Sequence, residues 1–310
     1  MPTKLLPNAT CIFIAMTICF LIAGCASTLP EKFPDTEIVY ETGVPNTSKI
    51  GFINADGSSN LVLATDIYVA RPIWSADGQT LYVLQWNGPG GDLSIWREGR
   101  TRHICENYPA VDTIGGVISE AGSTKAVIDN AGKQITLIDL ERCSEIKKYV
   151  NFAMDQEKGV RGVSLSSDKT RIVYAEISER RSPSPKYSIK IMILGKGETL
   201  EIGEGINPTW SPDDKWIAYT KLDGIYVMAS DGSQSHRLVE YDAASEPFKH
   251  EFAVHPPSPR WSPDGKWLIY HRCASICQYL TDSSIFKVEI ATGTEAKIVD
   301  GGAYPFWRSR

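Results

Sequence analysis

A proline–tryptophan–turn motif that returns at near-constant spacing constrains the fold of this chain more than any other feature. Pro72-Ile-Trp74-Ser75-Ala-Asp77-Gly78, Pro208-Thr-Trp210-Ser211-Pro-Asp213-Asp214 and Pro259-Arg-Trp261-Ser262-Pro-Asp264-Gly265 align with one another. Weaker copies fall at Ile118-Ser119 and Leu165-Ser166, and a truncated one, Tyr304-Pro305-Phe306-Trp307, closes the chain. The anchors at 74, 118, 165, 210, 261 and 307 are 44, 47, 45, 51 and 46 residues apart. Such a period belongs to propeller blades.

Each unit has a physical reading. An apolar run ends at Trp-Ser, and Pro-Asp-Gly then supplies a tight turn: Pro presets φ, Asp bonds backbone amides and Gly accepts positive φ. A β-rich run follows, such as Trp267-Leu-Ile-Tyr270, then a third run ending in another turn, as in Ile225–Met228 before Ser230-Asp231-Gly232. His236-Arg-Leu-Val239 makes a short fourth run. Four short antiparallel strands describe a blade, which must stack with neighbours to bury its faces. Five units are complete, beginning near Arg71, Gly116, Gly162, Asn207 and Ser258. The sixth has only its inner strand, Ala303–Trp307, so its outer strands are expected from Glu37–Tyr40, Lys49–Ile53 and Leu61–Leu63. The expected fold is all-β: a six-bladed β-propeller of four-stranded antiparallel blades over residues 37–310, closed by pairing the C-terminal strand with N-terminal strands.

The W-S-P-D-G cores and the hydrophobic strands behind them resemble TolB-type six-bladed propellers with WD-like repeats. That resemblance covers residues 37–310 and concerns the fold. The best-known members carry a separate α/β domain ahead of the propeller, which this sequence replaces with a short tether, so a role tied to that domain is not implied.

The first residues read as an address. Lys4 precedes an apolar stretch from Cys11 to Ala23, too short for a comfortable bilayer span but suited to a secretory signal. Leu21-Ile-Ala-Gly24-Cys25 resembles the lipobox of bacterial lipoproteins, which implies a signal peptide over 1–24 and lipidation at Cys25. Ala at position 26, rather than Asp, implies by the same resemblance the outer membrane, facing the periplasm. Residues 25–36, with two prolines and no hydrophobic periodicity, are expected to be a lipidated tether.

Catalytic and metal chemistry is sparse. The formal charge of −5, with 22 % charged and 42 % hydrophobic residues, excludes wholesale disorder and gives nucleic acid no electrostatic footprint. The repeated Asp77, Asp168, Asp213 and Asp264 sit in hairpins, where they stabilise turns. His250-Glu251-Phe-Ala-Val-His255 fails as a zinc-protease helix, because its histidines are five rather than four apart and Pro256-Pro257 follows. No G-x-S-x-G elbow occurs. Neither a metal nor a cofactor is expected. Cys273 and Cys277 are candidates for a local disulfide in an oxidising compartment, whereas pairing of Cys105 with Cys143 is doubtful on distance.

Loop lengths divide the blade ends into two faces. Connections between first and second and between third and fourth strands are uniformly short, as at Ala76–Gly78 and Ser230–Gly232. Those between second and third strands, and between blades, are longer: Trp86–Asp92, Glu106–Gly115, Asn151–Arg161, Glu179–Tyr187, Tyr241–Pro257 and Arg272–Ser283. Long loops on one end of a rigid scaffold are where recognition concentrates, and aromatic and arginine groups are its favoured anchors. The expected contact residues are therefore Trp86, Tyr108, Arg180, Arg181, Phe248, His250, Phe252, Arg272 and Tyr279. The expectation is a monomeric, membrane-anchored, non-enzymatic scaffold that binds an envelope protein or peptide. Two alternatives stand beside it: a polysaccharide-acting lyase or hydrolase using His250, His255 and His271, and a small-ligand sensor at the central channel.

Overall fold

The turns generate the sheets. In the computed structural model, Ser75, Ser166, Ser211 and Ser262 donate from Oγ to Oδ1 of the aspartate two residues on, at 2.5 to 2.6 Å. The same Oδ1 accepts the backbone N–H of Gln79, Thr170, Lys215 and Lys266. Each serine Oγ also accepts the N–H that opens the next strand, from Thr80, Arg171, Trp216 and Trp267. One Ser-x-Asp pair thus ties three points of each of these four hairpins, and the second strand starts in a set register. The aspartates are spent on turns, as the sequence predicts.

The structure describes residues 32–43, 49–63, 69–75, 77–86, 91–97, 100–108, 124–128, 134–139, 142, 144–151, 158–179, 185–241, 257–273 and 280–309. The strands in chain order are β1 (Ile38–Thr42), β2 (Lys49–Ile53), β3 (Leu61–Leu63), β4 (Val69–Trp74), β5 (Leu81–Trp86), β6 (Gly91–Arg97) and β7 (Arg100–Tyr108). They continue with β8 (Thr124–Ile128), β9 (Gln134–Asp139), β10 (Ser144–Asn151), β11 (Gly159–Leu165), β12 (Arg171–Ser178), β13 (Lys186–Ile193) and β14 (Thr199–Glu204). The last are β15 (Ile206–Trp210), β16 (Trp216–Lys221), β17 (Gly224–Ala229), β18 (His236–Glu240), β19 (Arg260–Trp261), β20 (Trp267–Cys273), β21 (Ser283–Glu289), β22 (Glu295–Asp300) and β23 (Gly302–Trp307).

These strands make small antiparallel sheets. Sheet I has the order β23-β1-β2-β3; sheet II is β4 to β7, sheet IV β11 to β14, sheet V β15 to β18 and sheet VI β19 to β22. Sheet III has three strands, β10-β9-β8. The fold is an all-β propeller. Where the sequence reading expects six four-stranded blades, the structure shows five; the inner strand expected for the remaining unit, near Gly116, lies outside the described residues.

Sheet I joins the two ends of the chain. Ile38 stands opposite Trp307 and Val39 opposite Phe306, with a bulge before Glu41 meets Ala303. Apolar clusters then fill the spaces between neighbouring sheets. Val39, Phe52 and Phe306 of sheet I pack with Trp74, Leu81 and Trp96 of sheet II, and Ile138 of sheet III joins them. Ile135 and Leu137 of sheet III pack with Val163 and Tyr174 of sheet IV. Sheet IV meets V through Val173, Ile189, Trp210 and Ile217, and V meets VI through Ala218, Val227, Trp261 and Tyr270. Ile269 and Ile285 of sheet VI meet Ile38, Tyr40 and Trp307 of sheet I. The tryptophans of the repeat pack between sheets.

A second device pins the outer strands. Tyr40 and Tyr219 hold equivalent positions in the second strands of sheets I and V, and burial raises the pKa of both hydroxyls. Tyr40 Oη donates to Asn60 Oδ1 and Tyr219 Oη shares a hydrogen bond with Ser235 Oγ, both at 2.7 Å and both just ahead of a fourth strand. Tyr174 holds the same place in sheet IV, where burial and then the neighbouring Glu176 charge push it to about 12.

Two outcomes test this account. Trp307→Ala removes the largest side chain of the closing strand and is expected to cost about 3–5 kcal/mol in urea unfolding. Hydrogen bonds from Ser75, Ser166 and Ser211 hold Asp77, Asp168 and Asp213 below the ordinary aspartate range. Their stabilisation is complete above that range and is lost as pH falls through the lowered values. Ser211→Ala is therefore expected to cost about 1–2 kcal/mol at neutral pH, with the gap to the parent protein narrowing in acid.

Candidate binding face and channel mouth

The innermost strands share a kink that sets the geometry of a polar layer, called here the mouth, near the long-loop end. In β4, residues 71 and 72 fall between the pairs Ala70–Leu84 and Ile73–Tyr82, and in β15 residues 207 and 208 fall between Ile206–Thr220 and Thr209–Ala218. In β23, Tyr304 and Pro305 occupy the same place, and in β11 the extra residue is Gly162. Arg71, Asn207, Tyr304 and Gly162 all have positive φ, between 48° and 68°. Each stands three residues before the Trp or Leu anchor. The bulge frees one residue per strand from the ladder and turns it towards its neighbours in the innermost layer.

The freed residues meet in pairs. The Arg71 guanidinium lies 3.6 Å from the centroid of the Tyr304 ring. Arg71 N–H donates to Glu41 Oε2 at 3.0 Å, and Glu41 is only 2 % exposed. His271, fully buried, holds its ring 4.9 Å from that of Tyr304. On the far side Asn207 Nδ2 and Thr220 Oγ1 both donate to Pro257 O, each at 3.0 Å. Glu41, Thr220 and His271 occupy one position of the second strands in sheets I, V and VI, three residues beyond the start of the ladder with the inner strand. Because second strands run from the short turns towards the long connections, this polar layer stands towards the long-loop face.

Asn207 is a point of close approach. A Cβ at Gly162 would meet Asn207 Cα at 2.5 Å, so only glycine lets the two strands approach. Asn207 Oδ1 is buried, and among the described residues nothing donates to it.

Further out, the long-loop face carries paired charge. Glu176 binds Lys190 at 3.0 Å and Lys158 at 3.8 Å; Glu179 binds Lys186; Asp223 accepts from Arg237 and from Tyr226 Oη. The Lys221 ammonium lies 4.9 Å from the Tyr226 ring, and Leu222 beside it is 67 % exposed.

The expected contact residues fare unevenly. Trp86 ends β5 and Tyr108 ends β7 at the long-loop face. Arg180, Arg181, Phe248, His250, Phe252 and Tyr279 lie outside the described residues, as does Cys25. Arg272 is in place, but its side chain runs back along its own sheet, over the Phe286 ring at 4.3 Å to Glu295 Oε1 at 3.0 Å. Its charge serves the blade rather than the mouth. Cys273 is disulfide-bonded; Cys277, its expected partner, lies outside the described residues. Glu41, Arg71, Asn207 and Tyr304 were not singled out by the sequence reading. For Arg71 and Asn207 the signal is the residue preceding the repeated proline, one step outside the aligned motif; Tyr304 holds the same place inside the truncated copy, and Glu41 has no such signal. Among the described residues no three His, Cys, Asp or Glu side chains could jointly hold a metal ion.

No family model matches the chain, and no curated protein matches it. Solved structures do. TolB from Acinetobacter baumannii superimposes with a TM-score of 0.63 at 14 % identity, over 98 % of this chain and 74 % of that one. The fold is TolB-like. A chain of a nidogen/laminin complex gives 0.62 at 9 % identity, over 88 % of this chain and 99 % of that one. Oligogalacturonate lyase in complex with manganese gives 0.50 at 15 %, over 87 % and 74 %. At these identities the likeness is one of architecture.

Gly162→Ala tests the mouth. The new methyl group meets backbone at a positive φ, so a loss of about 2–3 kcal/mol is expected in chemical unfolding. Ala at the exposed, unobstructed Gly195 is the control and should change little.

Proposed function

We propose that this chain is a lipid-anchored scaffold of the bacterial envelope that binds a protein or peptide partner through its long-loop face. The observation that carries the reading is the difference between the two ends of the blades. At the short-turn end, serine, aspartate and backbone amides satisfy one another inside each hairpin. At the long-loop end stand the half-buried stack of Arg71 on Tyr304, the paired charges of sheets IV and V, and exposed Leu222. Aromatic and charged groups held on a rigid rim suit recognition of a folded or extended polypeptide. The nidogen/laminin neighbour is a propeller-sized chain in a protein–protein complex, which supports the reading at the level of architecture.

Sheet III is read here as a sixth blade, its inner strand coming from residues 116–120. Its packing against both sheets II and IV supports this, since it fills one blade's place between them. Cys25 is read as the lipidation site, residues 26–36 as the tether, and Cys277 as the disulfide partner of Cys273. The outer membrane, facing the periplasm, is the proposed location, and the molecule is taken as a monomer.

A second reading, an enzyme acting on polysaccharide, draws on His271. This buried imidazole stands beside Tyr304, on whose ring Arg71 also stacks, in a fold shared with an oligogalacturonate lyase.

Chemical cross-linking in isolated membranes, followed by affinity capture of the full chain, separates the two. Binding predicts recovery of one specific envelope protein, lost with Arg181→Ala and Phe248→Ala but retained with Lys215→Ala on the short-turn face. Capture of no specific partner, together with glycan turnover abolished by His271→Ala or His250→Ala, would replace binding with catalysis.

A further inference from the structure

The two ends of the described residues, 32 and 309, meet on the short-turn face near the axis. Phe33 packs edge-on against Trp74 with ring centroids 5.0 Å apart, and lies 5.9 Å from Phe52. Arg308 closes over it. Its guanidinium lies 4.4 Å from the Trp74 ring centroid, Nε donates to Gly78 O at 2.8 Å, and Nη1 donates to Pro34 O at 2.9 Å. Arg308 N–H donates to Glu37 O, Thr36 N–H to Pro34 O, and Ala55 N–H to Glu37 Oε2. Gly78 is so tightly covered that a Cβ there would meet Ser309 O at 2.1 Å. Trp74 ends an inner strand and Gly78 belongs to the turn after it, so the attachment point is central rather than peripheral.

We infer that Phe33, Pro34 and Arg308 form a clip that shortens the tether and holds the short-turn face towards the membrane, leaving the long-loop face turned away from it. The inference rests on the N-terminal membrane attachment proposed above. Magnitudes decide it. From Cys25 to Lys32 the chain reaches at most about 25 Å fully extended. To present its other face to the bilayer, the molecule would need a tether crossing a four-stranded blade and then climbing a strand, roughly 40 Å in all. Unclipped, with the chain free from Cys25 to Glu37, the reach rises to about 43 Å and the body could roll over. The aromatic and arginine contacts therefore convert a loose leash into an orienting one. A partner binding the long loops would then approach from the side away from the bilayer.

The test uses the purified full chain reconstituted into phosphatidylethanolamine–phosphatidylglycerol vesicles that carry a nitroxide-headgroup lipid. An azide-bearing amino acid replaces Lys215, exposed on the short-turn face, or Leu222, exposed on the long-loop face, and a fluorophore is attached to it. The clip predicts several-fold stronger quenching at position 215 than at 222. It also predicts that the contrast collapses in the Phe33→Ala/Arg308→Ala double variant, whose folding is confirmed by an unchanged far-UV spectrum. Equal quenching at the two positions in the parent protein, or stronger quenching at 222, overturns the orientation. A contrast that survives the double substitution overturns the clip as its cause. Cys25→Ser in expressing cells separates the premise from the inference. Release into the soluble fraction upholds the lipid anchor, whereas retention in membranes overturns lipidation but leaves the quenching contrast to judge the orientation. Failure of the parent chain to associate with membranes overturns both.

Discussion

The antiparallel pairing of β23 with β1 is the contact on which the rest of the molecule depends. A blade buries its faces only against neighbours, so a row of blades leaves two apolar faces and an unpaired ladder at its ends. Setting Trp307 opposite Ile38 and Phe306 opposite Val39 joins first and last strands in one sheet. Sheet I can then pack against both sheet II and sheet VI, and apolar clusters run on through both contacts. Few pairings in the chain span so long a loop, which makes this one costly to nucleate and slow to form. The aromatic load carried by such a short segment, Tyr304, Phe306 and Trp307, answers that cost with dense local contact.

Much of this architecture was legible because it is written in local chemistry. Ser-x-Asp turns, tryptophan anchors and β-rich runs act within a few residues, and the structure places them where the repeat says. The closing strand was legible too, from a sixth anchor with nothing behind it. The weak copy near Ile118 lacks both tryptophan and aspartate, and that unit is the one in which only three strands are described. The mouth was not legible in the same way. Its members are defined by position rather than type: arginine, glycine, asparagine and tyrosine all occupy the bulge, and no residue-type pattern unites them. Arg272 shows what side-chain length adds to position. Position beside a long loop made it a contact candidate, but the length of its side chain carries the charge back to Glu295.

The bulge explains why the mouth can be polar at all. A regular inner strand would give its side chains alternately to the two neighbouring sheets, and both directions are apolar. One positive-φ residue breaks that alternation and releases a side chain from the core without breaking the strand. Arg71 can therefore stack on Tyr304 while its own N–H is held by Glu41, and Asn207 can reach the carbonyl of Pro257 across to the next sheet. The repeated proline is compatible with this, since it needs no N–H partner at the point where the ladder is interrupted. Glu41 and His271, both deeply buried, are costly residues for a merely structural layer. Their place at the long-loop end of the second strands concentrates that cost where the short turns have no counterpart.

The position of the seam within sheet I also decides which face the chain leaves from. A blade assembled from one C-terminal strand and three N-terminal strands breaks between its first and second strands, where every other blade has a short turn. Both ends then emerge on the short-turn face, beside the axis, as Arg308 and Glu37 do. A break between second and third strands would send them out among the long loops. A break between third and fourth would return them to the short-turn side but at the rim, where a tether of equal length constrains orientation far less. The observed seam keeps the exit of residues 32–37 and the long loops at opposite ends of the blades. Closure of the ring and separation of the two faces thus follow from the same strand pairing.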